Sequence, residues 1–206
     1  MNRAVVFDMD GVLVDARDWH FEALNQALGV FGLGIPYEVH LSEYNGLSTR
    51  QKLTKLTESH SLPIELHSVI SRTKQNRTLR IAAQKCFPIT QHLILLELLK
   101  AKGFKVAVYT NSIRETAEAM LDYAGILEKI DVLLTNQDVT NPKPDPEGYL
   151  LACQRLNVQP SETFVIEDGE FGIRAAELAG CRVIRVNQPS DVSISKLAEF
   201  LPEILL

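Results

Sequence analysis

Acidic, basic and hydroxyl-bearing residues stand at the ends of several apolar runs in this chain, or in the loops that follow them. They are Asp8 and Asp10 after AVVF, Thr110 and Asn111 after KVAVY, Lys143 in NPKPDPEGY, and Glu167 with Asp168 after TFVI. A single aspartate or asparagine after a strand is most often a turn or helix-capping residue. Turn chemistry alone does not explain four carboxylates, a lysine and a Thr-Asn pair at successive run ends.

This set of side chains suits the transfer of a phosphoryl group. Carboxylate oxygens from Asp8, Glu167 and Asp168 favour a hard cation such as Mg²⁺. A lysine, a cation and hydroxyl or backbone donors stabilise the charge on a phosphoryl group in transfer. A carboxylate can also be the nucleophile and form an aspartyl-phosphate. Asp10 can then protonate the leaving oxygen and later deprotonate water.

Alternating strands and helices must position these groups. Apolar runs predict strands, and helical periodicity with capping and stop residues predicts helices between them, which indicates βαβ units. We therefore predict an α/β fold with a Rossmann-like, doubly wound parallel sheet, whose carboxyl edge binds the ligand. The predicted strands cover residues 4–8, 105–110, 131–135, 163–167 and 182–186. Ser112 with Glu115 forms an S-x-x-E pattern that predicts a capping box for the helix after the second strand.

Residues 16–84 differ from the rest of the chain because they show helical stretches and no convincing strand. We call residues 16–84 the helical segment. Its place after the first strand predicts an all-helical domain inserted at the carboxyl edge of the sheet. The predicted α/β core domain then comprises residues 1–15 and 85–206.

Composition restricts the class of partner. The chain has 206 residues and a formal net charge of −5, which argues against nucleic acid as a ligand. The first apolar run is interrupted early, and LILLELLK (93–100) is far too short to cross a bilayer. We expect a cytoplasmic protein, monomeric or weakly homodimeric, that acts on a small molecule without a membrane partner.

Four segments of the chain resemble the sequence motifs of the haloacid dehalogenase superfamily, in the same order. They are VVFDMDGVLVD, AVYTNS, NPKPDPEGY and VIEDGEFGIRAAELAGC. The resemblance is closest to the branch that contains beta-phosphoglucomutase and phosphoglycolate-type phosphatases, which carry a helical cap after the first motif. It implies the same fold, with the helical segment as the cap.

The resemblance also implies a role for each acidic residue. Asp8 would be the nucleophile and a metal ligand, and Asp10 the general acid and base whose backbone carbonyl also meets Mg²⁺. Glu167 and Asp168 would complete the metal site. The dehalogenases of the superfamily lack the second aspartate of the first motif, so Asp10 indicates phosphate chemistry.

The phosphoryl group would be held by the second and third motifs. By the same resemblance, the Thr110 hydroxyl and the Asn111 backbone bind its oxygens. Lys143 would neutralise the aspartyl-phosphate and its transition state.

YNGLSTRQKL (44–53) resembles the cap segment that related enzymes insert into the active site. Gly46 would permit a close approach, and Arg50 could contact a substrate phosphate. Ser48 with Gln51 predicts a capping box at the start of the next helix.

Two hypotheses share this chemistry: a Mg²⁺-dependent phosphatase and a phosphosugar mutase of the beta-phosphoglucomutase type. His20 and Lys74 fit mutase positions in the cap. Ala16, Asn45 and Thr49 stand where the mutases have a threonine, a lysine and an arginine, which favours hydrolysis. A phospho-receiver is a third hypothesis, but receivers lack a helical insertion of this length.

Overall fold

A five-stranded sheet, parallel throughout, organises the chain. The computed structural model describes residues 3–205, so residues 1, 2 and 206 of the predicted core lie outside the described residues. The strands are β1 (Ala4–Phe7), β2 (Lys105–Tyr109), β3 (Val132–Leu134), β4 (Thr163–Glu167) and β5 (Arg182–Arg185), in the spatial order β3-β2-β1-β4-β5. This confirms the predicted Rossmann-like α/β fold.

Helices connect the strands and form the helical segment. Their bounds are α1 (Arg17–Gly29), α2 (Tyr37–Val39), α3 (Thr49–His60), α4 (His67–Lys85), α5 (Thr90–Ala101), α6 (Arg114–Tyr123), α7 (Glu147–Leu156), α8 (Glu170–Leu178) and α9 (Ile194–Ala198). Within residues 3–205, no helix combines the length and apolar character needed to cross a bilayer.

The central strand β1 is apolar throughout because helices cover both faces of the sheet. Alternate side chains of β1 enter two separate cores. Val5 and Phe7 pack on one face with residues of α5 and α6, and Ala4 and Val6 pack on the other with residues of α7 and α8. The strand therefore cannot shift along its neighbours without moving its side chains into the wrong core.

The helical segment has a core of its own. Helices α1 to α4 and a π-helical turn at His40–Tyr44 enclose Leu24, Tyr44, Leu53 and Ile70, all of them buried. Helix α4 ends at Lys85, one residue past the predicted border. Division of the chain at residues 15/16 and 84/85 stays a prediction.

The capping box predicted for α3 is present. The Ser48 hydroxyl accepts a hydrogen bond from the Gln51 backbone N–H, and the Gln51 side chain accepts one from the Ser48 N–H at 2.8 Å. These bonds satisfy two backbone donors that the first turn of a helix otherwise leaves without partners. They fix where α3 begins beside the sheet edge.

Replacing this cap tests its contribution to stability. We expect Ser48→Ala to lower the free energy of unfolding by about 1 kcal/mol, because the cap loses its acceptor. Urea denaturation measures the change. Ser59→Ala is the control: Ser59 lies exposed on the last turn of the same helix, where its hydroxyl contacts the Lys55 carbonyl and the ring of His60. Equal losses in the two variants would contradict a specific capping role.

Candidate active site

The sheet edge predicted to bind the ligand opens into a cleft of about 300 Å³. Asp8 and Thr110 enter it directly after β1 and β2. Their backbone N–H groups extend the ladders by one residue, since Asp8 donates to the Ile166 carbonyl at 3.0 Å and Thr110 to the Leu134 carbonyl at 3.1 Å. The sheet thereby holds both residues in fixed positions. The residues that line the cleft include Asp8, Asp10, His20, Gly46, Lys74, Thr110, Asn111, Lys143, Glu167 and Asp168.

Asp8, Glu167 and Asp168 form an acidic cluster at the floor of the cleft. Each offers a carboxylate oxygen within 4.8 Å of the other two, and Asp8 and Glu167 are buried. Burial and the neighbouring carboxylates raise the pKa of Asp8 well above its usual range, although Lys143 opposes them. An all-oxygen set with surplus negative charge fits a hard divalent cation. The Asp10 carboxylate lies outside this cluster, and its carbonyl as a fourth ligand stays a prediction.

Lys143 joins two of these carboxylates. Its Nζ lies 2.6 Å from Asp8 Oδ1, 2.5 Å from Glu167 Oε1 and 3.1 Å from the Tyr109 carbonyl. The rings of Tyr109 and Tyr149 also face it, with centroids 4.9 and 5.2 Å away. Burial alone would lower the pKa of Lys143, but Asp8 and Glu167 raise it well above its usual value. Lys143 therefore stays charged.

Two glycines leave the space that the acidic side chains occupy. A Cβ at Gly172 would lie 1.6 Å from Glu167 Oε1, and one at Gly11 would lie 2.3 Å from Asp168 Oδ2. Gly11 also has φ +93°, a conformation that side chains other than hydrogen disfavour. Gly11 and Gly172 are thus required by close packing at the cluster.

Asp10 belongs to a second network, which reaches into the helical segment. Its Oδ1 lies 2.9 Å from His20 Nε2, and its Oδ2 accepts from Ser112 at 2.9 Å and Thr110 at 3.4 Å. His20 Nδ1 lies 3.1 Å from Lys74 Nζ. An ammonium group only donates, so His20 accepts at Nδ1 and carries its proton on Nε2.

The charge state of this network follows from its contacts. Burial lowers the pKa of His20, consistent with the neutral ring. Burial alone would raise the pKa of Asp10, but His20 and the hydrogen bonds from His20 and Ser112 lower it to about 2. Asp10 is therefore a carboxylate in this state.

The predicted capping box at Ser112 and Glu115 is wrong. Helix α6 begins at Arg114 after Ile113, without a side-chain cap, and the Ser112 hydroxyl donates to Asp10 instead. The S-x-x-E pattern therefore does not identify Ser112 as a site residue. The sequence feature that indicates its role is its place in the loop after β2, two residues from Thr110.

Arg17 is a site residue that the sequence did not indicate. At the first position of α1, its Nη2 lies 2.7 Å from Asp168 Oδ2 and also donates to the Asn187 carbonyl at 3.3 Å. Burial and Glu167 raise the pKa of Asp168, and Arg17 opposes them. The contact joins residues that are 151 positions apart, so no local sequence pattern predicts it.

Gly46 and Arg50, two of the substrate contacts predicted in the helical segment, lie in different places relative to the cleft. Gly46 adopts φ +77°, and its carbonyl accepts from Asn111 Nδ2 at 2.9 Å, so it lies against the core. Arg50 is exposed and lines a neighbouring groove with Gln51 and Asn136. The structure does not bring Arg50 into the cleft, because it occupies another face of α3.

Comparison with known proteins agrees with this geometry. Residues 5–186 match the haloacid dehalogenase-like hydrolases. The chain belongs to this family. The resemblance seen in the four motifs is therefore confirmed.

Relatives in this family include named phosphatases. A phosphorylated carbohydrates phosphatase of Thermotoga maritima is 32% identical over 177 residues, which cover 86% of this chain and 81% of the relative. The fructose-1-phosphate phosphatase of Escherichia coli is 29% identical and covers 88% and 95%. Among solved structures, a beta-phosphoglucomutase of Clostridium difficile has a TM-score of 0.85, covers 100% and 99%, and is 23% identical, which supports the shared fold.

The glycine beside Glu167 gives a test of the acidic cluster. We expect Gly172→Ala to weaken Mg²⁺ binding roughly 10- to 100-fold, because the added methyl group displaces the Glu167 carboxylate. Isothermal titration calorimetry measures the affinity. Gly169→Ala is the matched control, since its Cβ would lie 3.9 Å from Glu167 Oε2 at an ordinary φ of −103°. Unchanged affinity in Gly172→Ala would exclude Glu167 from the metal site.

Proposed function

We propose that this protein is a Mg²⁺-dependent phosphatase that hydrolyses a small phosphorylated metabolite, a sugar phosphate or similar ester, through an aspartyl-phosphate on Asp8. The observation that carries the proposal is the Lys143 ammonium held between Asp8 and Glu167 at the floor of an open cleft. The relatives named as phosphatases of phosphorylated carbohydrates and of fructose 1-phosphate support the same substrate class.

The metal would be held by Asp8, Glu167 and Asp168. When bound, it supplies positive charge to the phosphate oxygens. Lys143 balances part of the carboxylate charge at the same place. The Thr110 hydroxyl and the Asn111 backbone N–H are the donors proposed for the other phosphate oxygens.

In the first half of the reaction, an Asp8 carboxylate oxygen attacks phosphorus and the bond from phosphorus to the ester oxygen breaks. The departing oxygen takes a proton from Asp10 and leaves as an alcohol. Asp10 must acquire that proton beforehand, and the negative charge of the arriving phosphate raises its pKa. His20 and Ser112 hold the carboxyl group in position for the transfer.

In the second half, water attacks the phosphorus of the aspartyl-phosphate. Asp10, now a carboxylate, takes the proton from this water, the bond from phosphorus to Asp8 breaks, and inorganic phosphate is released. Asp8 returns as a carboxylate beside Lys143. The helical segment excludes bulk water while these steps proceed.

The mutase alternative draws on the same network. Contacts of His20 with Asp10 and Lys74 agree with the mutase-like positions of these residues in the sequence. A mutase must also retain a bisphosphorylated intermediate, which needs a second strong phosphate site. Arg50, which is exposed and lies outside the cleft, does not supply that site. We further propose a cytoplasmic location and a monomer or weak homodimer.

Phosphate release from a panel of phosphate esters tests the proposal. We expect release with Mg²⁺, none after EDTA treatment, and at least about a 1000-fold loss in Asp8→Asn because the nucleophile is removed. Asp122→Asn, an exposed change on α6, is the control. Undiminished release in Asp8→Asn would refute the aspartyl-phosphate. Isomerised sugar phosphate on addition of a trace of bisphosphate, without phosphate release, would establish the mutase.

Esters with different leaving groups distinguish proton donation by Asp10 from nucleophilic attack by Asp8. Asp10→Asn should lower kcat for alkyl phosphates by roughly 10²- to 10⁴-fold, because their alkoxide needs a proton. The loss in the first step should be much smaller for p-nitrophenyl phosphate, whose leaving group departs as a stable anion. Rapid-quench measurement of p-nitrophenolate release isolates that step. Equal losses for both esters would contradict proton donation by Asp10.

A further inference from the structure

Lys52 is a buried lysine that the proposed reaction does not use. It lies on α3 next to the core residue Leu53, only 6% exposed, and lines the same cleft as Asp8 and Asp10. Within residues 3–205, its ammonium group has no hydrogen-bond partner and no carboxylate at ion-pair distance. Arg50, two residues earlier, turns to the neighbouring groove, so Lys52 is the cation that α3 presents to the cleft.

Two of the titratable groups near Lys52, Lys74 and His40, are cationic or neutral. Lys74 also lines the cleft, is 8% exposed and contacts His20. His40 lies buried nearby with neither ring nitrogen bonded, and burial followed by the charge of Lys52 lowers its pKa to about 4, so it is neutral. Asp10 is the nearby carboxylate that attracts Lys52, and its oxygens are already bonded by His20 and hydroxyl groups.

This arrangement is unfavourable for the protein alone. A buried charge without a partner costs free energy, and the adjacent Lys74 adds repulsion. Burial first, and Lys74 second, lower the pKa of Lys52 to about 7. A neutral sugar hydroxyl does not offset the charge, whereas an anion bound in the cleft that both lysines line does, through charge-assisted hydrogen bonds.

We propose that Lys52, together with Lys74, forms a subsite for a second anionic group of the substrate, either a carboxylate or a second phosphate. The enzyme then prefers phosphate esters that carry this additional charge to sugar phosphates with a neutral body. This inference rests on the proposed phosphatase activity, with the reacting phosphate at Asp8.

Two matched pairs of esters test the preference and identify its source. In the first pair, 6-phosphogluconate has a carboxylate where glucitol 6-phosphate has a hydroxymethyl group. In the second, fructose 1,6-bisphosphate adds a distal phosphate to fructose 1-phosphate. We expect the additional anion to raise kcat/KM at least about tenfold in one pair or both, the gain of one charge-assisted hydrogen bond. A gain in the first pair assigns a carboxylate, and a gain in the second a phosphate.

Lys52→Met isolates the charge, because methionine keeps an unbranched apolar side chain of similar length. We expect the kcat/KM ratio within the preferred pair to fall about tenfold or more. Without substrate, the thermal unfolding midpoint should rise, since the unpaired buried charge is gone. Lys55→Met on the same helix is the control: Lys55 is a half-exposed lysine paired with Glu43, and its substitution should leave the ratio unchanged.

The outcomes separate this inference from the proposed function. If none of the four esters is hydrolysed and the broad panel also fails, the phosphatase proposal itself fails. Hydrolysis with kcat/KM ratios near one in both pairs of the wild-type enzyme overturns the subsite alone, whatever the variants do. A lower unfolding midpoint in Lys52→Met with an unchanged ratio also overturns it and gives Lys52 a structural role.

Discussion

The ammonium group of Lys143 between Asp8 and Glu167 is the interaction on which the rest of the site depends. Three carboxylates at the end of a buried sheet would repel one another strongly in a medium of low polarity. Lys143 offsets part of that repulsion, and the faces of the two tyrosine rings around it stabilise its ammonium group. Arg17 contributes at Asp168. The remaining negative charge favours the binding of a cation at the cluster.

The parallel sheet makes this concentration of charge possible. Strands β1, β2 and β4 bring Asp8, Thr110 and Glu167 to the edge. Two separate hydrophobic cores secure the register of β1 from both faces. Gly172 and Gly11 allow the carboxylates to sit against the backbone. The core thus provides a rigid half of the cleft, while α3 and α4 contribute the cations Lys52 and Lys74, and α1 contributes the neutral ring of His20.

What could be predicted from the sequence depended on whether a residue's role is visible locally. Asp8 and Glu167 end apolar runs, and the topology of a parallel sheet brings such ends together. The S-x-x-E pattern predicts the wrong partner for Ser112. A serine at this place can cap the following helix or donate to a site residue such as Asp10, and the pattern does not distinguish the two. Arg17 and Lys52 carry no local signal: their roles depend on how the helical segment lies over the sheet, which periodicity does not specify.

The hydrogen bond from the Asn111 side chain to the Gly46 carbonyl has a kinetic consequence. It connects a loop of the sheet edge to the helical segment at the mouth of the cleft, and it is exposed to water. Such a bond exchanges readily with solvent and contributes only about 1 kcal/mol net. Breaking this bond therefore adds little to the barrier for substrate entry or phosphate exit at the mouth of the cleft.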